Sequence, residues 1–105
     1  MKLSELKPEE KRILAAEACG IIVRKEWHGL QGWNDAQVPD YGNDLNAIHE
    51  AVEAMPYEEQ QAWLDALARI ADPFHGYRMH LTVEITNATA AQRLDAFLLA
   101  KGSAE

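Results

Sequence analysis

The chain has 105 residues, which suits one domain over residues 1–105, and 48% of them are hydrophobic, enough for a folded core. The formal net charge of -7 repels phosphates, so direct binding to DNA or RNA is disfavoured and a basic protein surface is the better partner. The single cysteine, Cys19, excludes an internal disulfide and a zinc site built from cysteines. Without a long apolar run or a signal peptide, the sequence predicts a soluble, cytosolic protein with no membrane partner.

The first part of the chain predicts a helix, a short strand and a long loop. Pro8 suits the first helical position, the glutamates after it complement the helix dipole, and Gly20 is a stop signal. The β-branched run 21–24 predicts a strand. Residues 25–42 follow no clear period, so we expect either a functional loop or a short hairpin around Leu30.

The central stretch predicts a turn followed by an amphipathic helix. Asn43 or Asp44 can cap the first turn, because a short side-chain acceptor satisfies the free backbone N–H groups there. Pro56 should stop the helix. Four apolar residues at helical spacing form its buried stripe: Leu45, Ile48, Val52 and Met55.

The last part of the chain predicts two more helices and a strand between them. Residues 56–71 have a helical apolar arc, and residues 77–86 alternate apolar and polar side chains as a half-buried strand does. Thr89 and Gln92 form a capping box, and Gly102 ends the final helix. The sum predicts the α+β class, a small antiparallel sheet packed by about four helices. A homodimer would complete so small a sheet and protect its open edge.

Three segments together resemble a known family. They are 15–20 (AAEACG), 38–51 (VPDYGNDLNAIHEA) and 87–98 (NATAAQRLDAFL), and in this order they resemble the phage ABA sandwich domain, a family of small phage and prophage proteins. The resemblance implies a phage accessory protein with helices on both faces of a sheet. Small acidic phage proteins without enzymatic motifs are frequently inhibitors of host defence, including anti-CRISPR proteins, so this origin implies an inhibitor that acts in the host cytoplasm.

Interaction residues are the best site candidates. The segment from Trp27 through His28 to Trp33 offers large aromatic area, although two tryptophans closing the core would look the same. Acidic side chains could present a negative patch that imitates phosphates to a basic host protein, or could simply complement helix dipoles. The predicted partner-binding residues are Trp27, His28, Trp33, Asp40, Tyr41, Asp44, Glu50 and Glu53.

The sequence offers one candidate catalytic set, Asp40, Asp44 and His49. These side chains could act in general acid–base catalysis or bind a metal ion. A helical Asp44 lies about 140° around the wheel from His49, so the two cannot form a dyad alone. The simpler interpretation makes Asp44 a helix cap and lets His49 bond a neighbouring loop. The histidines lack ligand spacing, so we expect no metal and no cofactor.

The function hypotheses are therefore three. The first is a non-enzymatic phage protein that inhibits a host defence protein, such as a CRISPR effector with a basic surface. The second is a dimeric sponge that captures a cyclic-nucleotide defence signal with Arg78, Arg93, Trp33 and Tyr41. The third is a small phage enzyme that uses Asp40, Asp44 and His49.

Overall fold

The computed structural model describes residues 2–26, 29–32, 38–71 and 88–104. Within these ranges a short 3-10 helix, Leu3–Glu5, precedes four α-helices and one two-stranded hairpin. The elements in chain order are α1 (Pro8–Ala18), β1 (Val23–Glu26), β2 (Gly29–Gly32), α2 (Leu45–Glu53), α3 (Tyr57–Ala71) and α4 (Ala90–Ala100).

The described part of the chain is mostly helical, so the predicted α+β class with a sheet packed by helices is wrong. The core forms where helices pack on each other, chiefly α3 on α4, with α1 and α2 also against α4. In the described residues the only sheet is the antiparallel pair β1–β2. The strand predicted at 77–86 lies outside the described residues. Within the described ranges the core is built from helix–helix contacts rather than from helices on both faces of a sheet, the arrangement that the resemblance implied.

The centre of the core combines a few large side chains with many alanines. Phe97, Leu98, Leu67 and Ile48 are fully buried. Alanines on α1, α3 and α4 fill the positions between them, and their short side chains let the helix backbones approach closely. Helix α4 therefore sits in the middle and supplies the largest buried side chain.

Helix α1 begins and ends where the sequence predicts. Pro8 is its first residue, and Gly20 follows with a φ of 83°, the left-handed conformation that glycine adopts most easily. Its fully buried residues are Ala15 and Ala16, whereas Leu14 is only half-buried. Small residues thus form the fully buried part of α1, and Leu14 packs against the core with part of its side chain exposed.

Of the two alternatives for residues 25–42, a functional loop or a short hairpin around Leu30, the structure shows the antiparallel pair of a hairpin. Its register pairs Val23 with Gly32 and Lys25 with Leu30. The first strand begins two residues later than predicted, because the Ile21 N–H donates to the Ala16 carbonyl at 2.9 Å and continues the helix cap.

Helix α2 is capped by Asp44, one of the two predicted caps. Its Oδ1 accepts hydrogen bonds from the N–H of Asn46 at 3.0 Å and of Ala47 at 3.4 Å. Of the predicted stripe, Ile48, Val52 and Met55 are buried, but Leu45 is 53% exposed. The stripe is covered only from Ile48 onward, so the prediction for Leu45 is wrong.

The capping box of α4 is formed as predicted. Thr89 Oγ1 accepts from the Gln92 N–H at 3.1 Å, and Gln92 Oε1 accepts from the Thr89 N–H at 2.9 Å. Thr89→Ala is expected to lower the free energy of unfolding by about 1 kcal/mol, because one backbone donor loses its partner. Urea unfolding measures the loss, and Thr89→Ser should retain most of the stability. Equal loss in both variants would contradict a capping role of the hydroxyl.

Candidate functional site

The turn that precedes α2 is fixed by a residue of α1. Arg12 Nη2 donates to the Val38 carbonyl oxygen, and Arg12 Nε donates to the Pro39 carbonyl oxygen at 3.1 Å. After these residues the chain turns, with the N–H groups of Asn43 and Asp44 donating to the Asp40 carbonyl at 3.1 and 2.8 Å. Arg12 thus places the whole segment 38–44, called the clamped turn below.

Tyr41 lies inside the clamped turn but not on the surface. Its side chain is buried, with 3% exposed. Burial, together with the neighbouring Cys19, raises the pKa of Tyr41 far above its usual value, so the hydroxyl stays protonated. The ring belongs to the core, which corrects the expectation that Tyr41 contacts a partner.

The exposed side of α2 carries one polar stripe. Its members recur at i, i+3, i+4 and i+7, which places them along one face of the helix. His49 Nε2 lies 2.8 Å from Glu53 Oε1, so His49 bonds its own helix rather than a neighbouring loop. We call this stripe the outer face of α2; it consists of Asn46, His49, Glu50 and Glu53.

The structure separates the predicted catalytic set. Asp40 accepts from Asn43 Nδ2 at 3.2 Å on both carboxylate oxygens, Asp44 caps α2, and His49 pairs with Glu53. Each side chain therefore has a local structural partner. Among residues with described positions, no three His, Cys, Asp or Glu side chains form a group that could hold a metal ion.

Several predicted site residues lie outside the described residues: Trp27, His28, Trp33 and Arg78. Of the remaining residues assigned to a cyclic-nucleotide site, Tyr41 is buried, and Arg93 Nε donates to the Ala88 carbonyl at 3.0 Å. No described feature brings these two side chains to one ligand position.

Charge is strongly segregated along the sequence. Residues 26–68 contain no Lys or Arg. The same residues contain nine carboxylates, so they carry a formal charge of -9. Because the whole chain has a net charge of -7, the remaining residues carry +2. These nine residues, called the acidic segment below, are Glu26, Asp35, Asp40, Asp44, Glu50, Glu53, Glu58, Glu59 and Asp65.

Among the described residues, two members of the acidic segment are paired with cations outside it. Lys101 Nζ lies 2.7 Å from Glu59 Oε1, and Arg69 Nη2 lies 2.5 Å from Asp65 Oδ2. The described members with exposed side chains are Asp40, Asp44, Glu50, Glu53 and Glu58. The clamped turn and α2 thus form the most acidic described surface.

Exposed apolar side chains stand at the starts of two successive helices. Leu45, the first residue of α2, is 53% exposed, and Tyr57, the first residue of α3, is 71% exposed. Tyrosine is enriched at interface centres because its large ring also carries a polar group. The sequence pattern gave no sign of this placement, since Leu45 fits the buried stripe.

A cleft opens between the clamped turn and the first turns of α1 and α4. Its volume is about 170 Å³. Lys11 Nζ lies 2.9 Å from Asp95 Oδ1 in its wall, joining α1 to α4. We call it the turn cleft; its lining is Pro8, Lys11, Asp40, Gly42, Asn43, Ala91, Leu94 and Asp95.

The comparisons with known proteins add no relative. No family model, curated protein or solved structure matches the chain. The resemblance to the phage ABA sandwich domain therefore remains a prediction from the sequence. None of the helices in the described ranges combines the length and the apolar character that crossing a membrane requires.

Proposed function

We propose that this chain is a non-enzymatic phage protein that inhibits a host defence protein in the host cytoplasm, by docking its acidic surface on a basic surface of that protein. The observation that carries the proposal is the charge segregation: nine carboxylates and no Lys or Arg between residues 26 and 68. A CRISPR effector is the first partner to test, because its nucleic-acid channel is positively charged.

The acidic surface is less densely charged than a nucleic-acid strand. From Asp44 to Glu53 the helix rises by about 14 Å, at about 1.5 Å per residue. Three carboxylates stand in that interval, Asp44, Glu50 and Glu53, and their mean spacing along the axis is about 7 Å. This is about twice the spacing of about 3.4 Å per phosphate in a single DNA strand. The surface therefore attracts a basic groove through its charge and does not reproduce the phosphate spacing.

The acidic surface should also speed association with a basic partner. Neighbours on one helix face lie about 6 Å apart, which is less than the Debye length of about 8 Å at physiological salt. Their fields therefore add, and the combined field attracts a basic partner from solution. The exposed Leu45 at the start of α2 and Tyr57 at the start of α3 supply apolar area.

The proposal is tested with a host strain whose CRISPR immunity targets an infecting phage. Expression of the chain should restore plaque formation. The double variant Glu50→Gln, Glu53→Gln should lose most of this rescue, because it removes both glutamates of the outer face of α2. Efficiency of plaquing on the immune and the non-immune host measures the effect.

The matched control changes the same net charge elsewhere. Glu5 and Glu17 are exposed and lie outside the acidic segment, so Glu5→Gln, Glu17→Gln should keep the rescue. Equal rescue by the two double variants would contradict a role of the α2 surface. Absence of rescue on every defended host tested would contradict the inhibitor function itself.

A further inference from the structure

We propose that the turn cleft is a socket for one cationic side chain, an arginine or a lysine, of the protein partner. This inference rests on the proposed function and names the group by which the basic partner is anchored. It is carried by the size, the lining and the charge of the cleft, independently of the outer face of α2.

The size of the cleft selects the class of occupant. Its volume of about 170 Å³ lies below the range of about 300–1,000 Å³ that is usual for small-molecule and cofactor sites. A nucleotide is therefore too large, whereas a single long side chain is of suitable size. The neighbouring depression, lined by Lys2, Leu3 and Ser4, has a larger volume of about 530 Å³ and shares only Lys11 and Asp95 with the cleft.

The lining of the cleft matches the two parts of such a side chain. Gly42, Ala91 and Leu94 supply apolar surface for an aliphatic stem. Asp40 is exposed and lies in the clamped turn, so it can receive the charged head group. Because Asn43 Nδ2 donates to both oxygens of Asp40, the carboxylate is held in place before a ligand arrives.

The charge of the lining also favours a cation. Lys11 contributes one positive charge, and Asp40 and Asp95 contribute two negative charges, for a net charge of -1. Lys11 and Asp95 compensate each other at 2.9 Å, which leaves Asp40 as the carboxylate without a cation among the lining residues.

The first experiment titrates the purified chain with a minimal probe and follows backbone amide NMR signals. N-acetyl-arginine amide should shift the signals of Gly42, Asn43 and Leu94 in a saturable manner. N-acetyl-citrulline amide has nearly the same shape without the charge, and it should bind at least about tenfold more weakly. Asp40→Asn should reduce the affinity for the arginine probe to that for citrulline. Equal binding of the two probes would overturn the inference.

The second experiment blocks the cleft without a change of charge. A Cβ placed on Gly42 would meet only Leu94 Cδ2, at 3.5 Å, which is an ordinary contact. Gly42→Ala should therefore bind the arginine probe as the unmodified chain does. Gly42→Leu should fill the cleft and weaken the probe by about tenfold or more, as a lost anchor does. If Gly42→Leu folds and its affinity for the arginine probe is unchanged, the inference is overturned. If Gly42→Leu does not fold, the affinity of Asp40→Asn for the arginine probe provides the test.

The two proposals fail in different ways. Full plaque rescue by Gly42→Leu, with rescue lost in Glu50→Gln, Glu53→Gln, overturns the socket and supports the proposed function. Specific binding of the arginine probe without plaque rescue on any defended host supports the cation site and overturns the proposed function.

Discussion

Phe97→Ala is expected to lower the free energy of unfolding by about 3–5 kcal/mol, the range for truncating a fully buried phenylalanine. Phe97 has no exposed surface and lies on α4, the helix against which α1, α2 and α3 all pack. The loss combines the transfer of the ring to water with the cavity left among the close-packed alanines. Domains of this kind are stable by roughly 5–15 kcal/mol, so the variant should be near the limit of folding.

The control for Phe97→Ala is Tyr57→Ala, which removes an aromatic ring of similar size at a position that is 71% exposed. Its effect on the free energy of unfolding should stay within about 0.5 kcal/mol. Urea unfolding followed by tryptophan fluorescence measures both variants. Similar losses in the two variants would mean that α4 is not the centre of the core.

The helix ends could be predicted from the sequence because their signals are local. The Asp44 cap, the Thr89–Gln92 capping box and the glycine after α1 each depend on residues within a few positions of the helix end. Such side chains satisfy backbone groups of their own helix, so no knowledge of the tertiary structure is needed. The same holds for the polar outer face of α2, which follows from helical spacing alone.

The fold class could not be predicted in the same way because it depends on which faces meet. A strand pattern shows only that one face of a segment is apolar, and it does not show what covers that face. Several of the buried residues of α1 and α4 are alanines. Alanine is common on the surface as well as in the core, so it gives only a weak hydrophobic signal in a sequence. The fully buried residues of α1 are two such alanines, Ala15 and Ala16.

The candidate site also combines residues that local sequence patterns predict with residues that only the tertiary structure places. The exposed Glu50 and Glu53 follow from the periodicity of α2, whereas burial of Tyr41 does not follow from any neighbouring residue. The pair of Lys11 with Asp95 joins residues far apart in sequence, and the wall of the turn cleft depends on it. A single sequence has no signal for such a long-range contact.

The acidic turn and the core are connected through one side chain. Arg12 fixes the carbonyl groups of Val38 and Pro39, and the turn that follows carries Asp40 and Asp44 toward the surface while Tyr41 points inward. A rigid turn lowers the conformational entropy that the acidic side chains lose when a partner binds. The stability of this clamp should therefore matter for binding as well as for folding.

Arg12→Met is the second substitution with a large expected effect on stability. Methionine keeps much of the aliphatic stem but removes the donors, so the carbonyl oxygen of Val38, a residue that is 2% exposed, loses its partner. We expect the free energy of unfolding to fall by about 1.5–3 kcal/mol, the range for hydrogen bonds that involve a charged group. Amide hydrogen exchange should also become faster at Asn43 and Asp44, whose N–H groups bond within the clamped turn.

The control for Arg12→Met is Arg69→Met, which removes an exposed arginine that pairs with Asp65 one helical turn away. Such exposed pairs contribute about 0.3–0.5 kcal/mol, so this variant should unfold almost as the unmodified chain does. Arg12→Lys keeps the charge but lacks the planar fork that reaches two carbonyl groups, and its stability should lie between those of the other two variants. Equal stability of Arg12→Met and Arg69→Met, with unchanged exchange at Asn43, would show that the turn holds its shape without the clamp, and the acidic surface would then be a property of the local turn alone.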